Sequence, residues 1–218
     1  MRSPRFFLCL VFVAFAGFPQ LAHTQIIVDP GPTNSSVPAC IGIMGHNGSG
    51  VLDPLSQFTV IHRDLANNPI AGAMIVIDFS AVGELRLCAD DHDPNVIVDC
   101  AARTVSRLTD ANGVATFRIA GWSLAAPATP GSPYNDGKIF ANGILLGSPT
   151  IQIYDLDRNG LGASDLSFWL SDFFSGNNAA RGDYDCTGSL GAGDLSRWLT
   201  VYFASGSSAN CSPEGPCP

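Results

Sequence analysis

The sequence predicts a mainly β protein in which an antiparallel β-sandwich is followed by a small α-helical domain. Charged residues make up only 14% of the 218 residues, while 23 glycines and 15 prolines supply many turns. Short runs rich in valine and isoleucine alternate with these turns up to residue 154. Apolar residues at helical spacing follow between residues 166 and 202.

The first 24 residues have the character of a secretory signal peptide. Arg2 and Arg5 precede an apolar run over residues 6–18, and residues 21–24 are suitable for cleavage. The apolar run is too short for a permanent membrane anchor. We therefore expect a secreted protein, extracellular or on the cell surface, without membrane insertion.

Residues 25–39 are predicted to form a flexible leader, because proline, glycine, asparagine and serine dominate them. Strands begin after residue 40. Residues 56–62 alternate apolar and polar side chains, and residues 73–79 are rich in isoleucine and valine. The turn residues 67–69 lie between them, so the pattern predicts a hairpin.

A second hairpin is predicted from residues 104–108 and 114–119, which the turn at 110–113 separates. Strands are also predicted at 138–146 and 150–154. About seven short strands joined by turns are typical of an antiparallel sandwich.

Two segments of this region resemble a known family. They are residues 63–73, RDLANNPIAGA, and residues 109–117, TDANGVATF. Both are similar to the turns of bacterial Ig-like domains of the invasin and intimin type. The resemblance implies an Ig-like β-sandwich over residues 40–153, used as a spacer or adhesive module, and implies no catalytic residues.

Two loops rich in aspartate and glycine begin at Asp155 and Asp183. Each has oxygen donors at alternate positions, a glycine at the sixth position and a carboxylate near the twelfth, as in calcium loops of the EF-hand kind. The predicted calcium ligands are Asp155, Asp157, Asn159, the backbone of Leu161 and Asp165 in the first loop, and Asp183, Asp185, Thr187, the backbone of Ser189 and Asp194 in the second.

The first loop is one residue shorter than the second. Asp194 is the twelfth residue of its loop, but Asp165 is the eleventh, and the twelfth is Leu166, which cannot bind a metal. Either the shortened loop brings Asp165 to the ion, or this site is weak. Isolated Asp-Gly clusters often form only turns. A second copy with a matching helix favours calcium binding, with Ca²⁺ in a structural role.

Each loop leads into a predicted helix with one apolar face. The faces are formed by Leu166, Trp169, Leu170 and Phe173, and by Leu195, Trp198, Leu199 and Tyr202. A lone helix of this length is marginal in water. We therefore expect the two helices to pack face to face, with calcium ordering the loops at their starts.

This loop-and-helix duplication over residues 154–205 resembles the dockerin domain of secreted bacterial proteins. The resemblance implies the calcium ligands given above and a protein partner, either a cohesin-like module or another surface protein. The candidate partner face comprises Ser164, Trp169, Phe173, Ala192, Trp198 and Tyr202, with Phe174 and Phe203 as further aromatic candidates. The alternative is a structural role, in which the repeat caps the sandwich and has no partner of its own.

Six cysteines lie after the predicted signal peptide, an even number that predicts disulfide bonds in an oxidising compartment. We expect Cys88 to pair with Cys100, and Cys186 to pair with a cysteine of the tail at residues 206–218, such as Cys211. None of these cysteines forms a Cys-x-x-Cys motif, so a zinc site is not predicted.

The charge and the motifs exclude several functional classes. The net charge is −8 and Lys138 is the only lysine, so nucleic acid is a poor partner. The sequence contains no Gly-x-Ser-x-Gly elbow, His-Glu-x-x-His motif or phosphate-binding glycine loop. We therefore expect a protein that is not an enzyme.

Overall fold

A computed structural model describes residues 31–45, 52–123, 136–176, 180–205 and 217. The predicted signal peptide, the first part of the predicted leader and nearly all of the predicted tail, with Cys211, lie outside these described residues. Within them, strands dominate up to residue 153 and two α-helices follow. The predicted mainly β fold class is confirmed.

Eleven strands lie within the described residues. They are β1 Cys40–Ile43, β2 Phe58–Ile61, β3 Met74–Asp78, β4 Leu85–His92, β5 Ile97–Asp99, β6 Thr104–Leu108, β7 Val114–Phe117, β8 Ile119–Ser123, β9 Lys138–Ala141, β10 Ile144–Gly147 and β11 Thr150–Ile153.

Most of the strand pairing is antiparallel. One sheet has five strands in the order β10-β9-β3-β6-β5, and two further pairs are β2-β7 and β4-β8. Strand β1 instead runs parallel to β11, with Cys40 opposite Thr150 and Ile43 opposite Ile153. The first and last strands of this β-rich part are therefore neighbours.

The two predicted hairpins are not formed. Strand β2 pairs with β7, and β3 pairs with β6, so the strands on either side of each predicted turn belong to different sheets. The turns themselves are present, with Asn67 and Gly113 at positive φ. The turn residues of the sequence correctly indicate where the chain reverses direction. Which strands share a sheet, however, is decided by long-range pairing.

One apolar core lies between the sheets. Along β3, Ile75 and Ile77 are fully buried, while the alternate residues Met74, Val76 and Asp78 are only half-buried, as the alternation of a strand requires. Phe117 from β7, Ile119 from β8 and Ile151 from β11 reach the same core. The core thus joins all four sheets into one packed unit.

Residues 31–37 extend the β-rich part beyond its predicted start at residue 40. Ser36 exchanges backbone hydrogen bonds with Ile61 at the end of β2. The Asn34 amide donates to the carbonyl oxygens of Asp64 and Leu65, both at 3.0 Å. This part of the predicted leader is therefore bound to the sheet.

The two helices are α1, Ala163–Phe174, and α2, Ala192–Ser205. Trp169 and Trp198, at equivalent positions of the repeat, are each only 2% exposed and belong to one apolar cluster with Tyr154, Tyr184 and Val201. Met44, which follows β1, packs into the same cluster. Both helices therefore contribute side chains to one cluster, and the β-rich part contributes to it as well. The predicted face-to-face packing of the two helices stays a prediction.

The disulfide bonds differ from the predicted ones. Cys40 is bonded to Cys186, with Cα atoms 6.2 Å apart, and Cys100 is bonded to Cys217, with Cα atoms 4.9 Å apart. The predicted pair Cys88–Cys100 and the predicted bond from Cys186 to the tail are therefore wrong. Short sequence intervals suggested those pairs, whereas the actual bonds join distant segments that the fold brings together.

Neither of the described helices is long and apolar enough to cross a membrane.

Candidate metal centre

Each predicted metal loop connects an upstream element to the start of a helix. The first loop follows β11, and the second follows a short 3-10 helix at Ala180–Gly182. The last carboxylates of the loops, Asp165 and Asp194, are the third residues of α1 and α2. The partial positive charge of a helix N-terminus therefore lies close to each of these two carboxylates.

Three carboxylates meet in the first loop. Asp155, Asp157 and Asp165 each have an oxygen within 4.8 Å of the other two. Asp155 accepts hydrogen bonds from the backbone N–H groups of Arg158 at 2.7 Å and Gly160 at 3.1 Å. These bonds fold the loop around the first aspartate, and they leave the carboxylates converging on one point.

The second loop contains the corresponding cluster of Asp183, Asp185 and Asp194, again with oxygens within 4.8 Å of one another. Asp183 accepts from the backbone N–H of Thr187 at 3.0 Å and of Gly188 at 2.8 Å. The bond from the glycine at the sixth position is therefore common to both loops, whereas the other donor is the fourth residue in the first loop and the fifth in the second. All six predicted side-chain aspartates fall into these two clusters.

The shortened first loop still brings its last aspartate to the cluster. Asp165 Oδ2 accepts from the N–H of Gly162 at 2.7 Å, and Asp194 Oδ2 accepts from the N–H of Gly191 at the same distance. The missing residue lies between Gly160 and Gly162, where one leucine replaces two residues of the second loop. Of the two predicted alternatives, the placement of Asp165 by the shortened loop is observed, and the strength of the site stays a prediction.

Asn159 and Thr187, the predicted fifth-position ligands, border their clusters. The Asn159 amide donates to Asp157 at 2.6 Å and to the Ser164 hydroxyl at 3.2 Å, and the Thr187 hydroxyl donates to the Ser189 carbonyl at 3.3 Å. Leu161, a predicted backbone ligand, has its side chain buried in the helical cluster. Its burial orients this part of the first loop.

Four of the six carboxylates are buried: Asp155, Asp165, Asp183 and Asp194 are at most 6% exposed. Among the described residues, no lysine or arginine forms an ion pair with any of the six. Burial raises the pKa of Asp165 to about 7, and it also raises the pKa of Asp155 and Asp194. Burying carboxylates that repel one another, without a cation beside them, costs free energy. A bound cation would therefore stabilise each cluster.

The donor set fits a hard cation. Carboxylate oxygens supplemented by an amide, a hydroxyl and backbone carbonyls are the ligands that Ca²⁺ takes in proteins. Neither cluster contains a histidine or a cysteine side chain that would favour a transition metal. The residues present therefore match Ca²⁺.

Arg181 connects the helical pair to the β-rich part, and sequence reasoning did not identify this role. Its guanidinium is only 2% exposed. It donates to Asp172 of α1 at 2.9 and 3.0 Å and to Glu84, before β4, at 2.9 Å. Both bonds to Asp172 end on the same oxygen, Oδ2. A buried arginine two residues before the second loop therefore fixes that loop against both parts of the molecule.

The predicted partner face is only partly at the surface. Trp169 and Trp198 are buried, so their assignment to an exposed face is wrong, because the two indoles form the centre of the helical cluster. Phe173 is 40% exposed, whereas Phe174 and Phe203 are 79% and 78% exposed. Of the other residues of the predicted face, Ala192 is exposed, and Ser164 and Tyr202 are half-buried. Exposed aromatic surface is thus concentrated at the C-terminal ends of the two helices.

We compared the chain with protein-family models, with curated proteins and with solved structures. None of the three comparisons found a match.

Proposed function

We propose that the protein is a secreted, non-enzymatic calcium-binding protein whose two loops each hold one structural Ca²⁺. The observation that carries this proposal is the pair of three-carboxylate clusters, in which four of the six carboxylates are buried without a basic partner among the described residues. The disulfide bonds fit an extracellular location.

Calcium would neutralise each cluster and order the loop that starts each helix. Because aspartate rather than a longer glutamate closes each loop, we expect the affinity of extracellular modules, with Kd about 10⁻⁵–10⁻³ M. Binding then contributes to the stability of the helical pair, since the folded loops bind the ion and the unfolded chain does not.

Calorimetric titration of calcium into the chelator-treated full chain tests this proposal. We expect two ions per chain, and one ion after Asp157→Asn/Asp165→Asn. Asp110→Asn, at an exposed turn of the β-rich part, is the matched control and should retain two ions. If the unmodified chain produces no binding heat and its tryptophan fluorescence does not change, calcium binding is refuted.

The second element of the proposal is attachment to a protein partner. We infer that the helical pair is dockerin-like and presents Phe173, Phe174 and Phe203 to a cohesin-like module or another surface protein, with the β-rich part as an Ig-like spacer. Large exposed aromatic side chains are costly in water and are favoured anchors at interfaces. Their exposure supports this inference.

Surface plasmon resonance against a panel of cohesin modules tests the attachment. Binding should require calcium and should be lost in Phe174→Ser/Phe203→Ser. Leu145→Ser is the matched control, because Leu145 is 46% exposed on β10 and far along the chain from the helices. Binding that is unaffected by the two phenylalanine changes would contradict the proposed face.

A structural cap is the second candidate function, and the bonds between the two parts of the molecule favour it. Cys186 of the second loop is covalently bonded to Cys40 at the start of β1, and Arg181 is bonded to Glu84. If the helical pair is a structural cap, calcium binding should slow amide hydrogen exchange in β1 and β11 as well as in the two helices. Confinement of the protection to α1 and α2 would argue against the cap.

A further inference from the structure

The fourth residue of each loop has an unusual backbone conformation, although it is not a predicted ligand of the ion. Arg158 and Cys186 lie between the second and third predicted ligands of their loops and have φ of 67° and 63°. A left-handed conformation is unfavourable for residues other than glycine and persists where the surroundings hold it. In both loops, the side chain of this residue contacts the β-rich part.

Strands β1 and β11 hold the second loop at two points. The first point is the disulfide bond of Cys186 to Cys40. The second is the buried Gln152 of β11, whose amide donates to the backbone carbonyl of Asp183 and lies 3.1 Å from the Cys186 sulfur. Because β1 and β11 are paired with each other, both points belong to one rigid element.

Strand β8 holds the first loop at the corresponding two points. The guanidinium of Arg158 lies over the ring of Trp122, 5.0 Å from its centroid. The backbone N–H of Ser123 donates to the carbonyl of Asp155 at 2.8 Å. In each loop, therefore, the carbonyl of the first residue and the side chain of the fourth residue are bound by the β-rich part.

This arrangement bears on how strongly the loops bind an ion. An unconstrained loop must become ordered and must bring three like charges together when the ion enters. A loop whose first and fourth residues are already held loses less conformational freedom on binding, so more of the interaction energy appears as affinity.

We propose that these contacts with the β-rich part set the calcium affinity of each loop, through Cys40–Cys186 and Gln152 at the second loop and through Trp122–Arg158 at the first. Cys186, Gln152 and Arg158 are positioning residues, since none of them is a predicted calcium ligand. This inference rests on the proposed calcium function. It adds that residues outside the loops, in the β-rich part, determine the calcium affinity of each loop.

The contact that holds the second loop is of a different kind from the contact that holds the first, so we expect their losses to change calcium affinity by different amounts. The second loop is held by a covalent bond, whereas the first is held by a cation–π contact, an interaction that is weak at exposed sites. Loss of the disulfide should therefore weaken the second site more than loss of the arginine weakens the first.

Calorimetry on the full chain in two single-site backgrounds tests the proposal. Asp155→Asn/Asp157→Asn leaves the second site, and Asp183→Asn/Asp185→Asn leaves the first. Cys40→Ala/Cys186→Ala should lower the affinity of the second site by about tenfold or more and that of the first by less than about twofold. Arg158→Ala should lower the affinity of the first site alone, by about threefold.

Cys100→Ala/Cys217→Ala is the matched control, because it removes a disulfide bond that does not involve either loop. An equal loss of affinity at the second site in this control would overturn the proposal, since the effect would then be general destabilisation. Gln152→Met provides a second variant if the Cys40 and Cys186 replacements do not fold, and it should lower the affinity of the second site by about threefold.

The outcomes separate this inference from the proposed function. If neither single-site background binds calcium, both are wrong. If both backgrounds bind and the three sets of positioning variants leave the two affinities unchanged, calcium binding stands and the inference is refuted. A loss confined to the loop that each variant contacts supports it.

Discussion

The two metal loops reach the same carboxylate arrangement with different numbers of residues. Asp155 and Asp165 are ten positions apart in the first loop, and Asp183 and Asp194 are eleven apart in the second. In both, the last aspartate accepts a backbone hydrogen bond of 2.7 Å from the glycine three residues before it. The comparison teaches that the helix start places the final carboxylate, and that the count of residues along the loop does not.

The loops also differ in what precedes them. Arg181, two residues before the second loop, binds Asp172 and Glu84, whereas Ile153, the last residue of β11, occupies the corresponding position before the first loop. The first loop needs no such residue, because it continues directly from β11. The second loop begins far from any strand in the chain, so a buried ion pair and a disulfide bond replace the missing strand.

The largest expected effect comes from breaking the ion pair that only the second loop has. Arg181→Met should lower the free energy of unfolding by about 3–5 kcal/mol, because Asp172 is left buried without its partner. Urea denaturation of the calcium-free chain measures this. Ser196→Ala, at an exposed position of α2, is the control and should change stability by less than about 0.5 kcal/mol.

Removing the last carboxylate of each loop tests whether the two sites are equivalent. Asp165→Asn and Asp194→Asn should each weaken calcium binding at their own site by about 100-fold, or about 2.7 kcal/mol, since a neutral amide no longer offsets the ion's charge. Calorimetric stoichiometry measures this. If only Asp194→Asn has an effect, the shortened loop is not a calcium site.

A smaller difference between the loops is expected at the second residue of each helix. A side chain at Gly193 would overlap the Asp185 carboxylate, whereas the first loop has Ser164 at this position. Gly193→Ala should therefore displace Asp185 and weaken the second site by about tenfold. Ser164→Ala is the matched change in the first loop and should alter its affinity by less than about threefold.

The smallest effect is expected when the second loop is given the length of the first. Deletion of Ser189 leaves one residue between the two glycines, as in the first loop, and should change the affinity of the second site by less than about threefold. Titration of the Asp155→Asn/Asp157→Asn background with and without the deletion measures this. A loss of binding would show that loop length matters in the second copy.

Sequence reasoning succeeded where the determinants are local. The fold class, the helical segments and the six aspartates of the clusters follow from spacing and residue type. The pairing of β2 with β7 and the bonds of Cys40 and Arg181 depend on contacts between distant segments, which no local pattern contains. The burial of Trp169 and Trp198 could not be predicted either, because an apolar helical face has the same sequence pattern whether it packs in a core or binds a partner.

The bond between Cys40 and Cys186 has a mechanical consequence. The two cysteines are 146 positions apart, and they bracket every strand of the β-rich part from β2 to β11. A pulling force applied between the segment before Cys40 and helix α2 would pass through the disulfide and would not load the strands between. The strands from β2 to β11 would therefore stay folded under this tension for as long as the disulfide bond is intact.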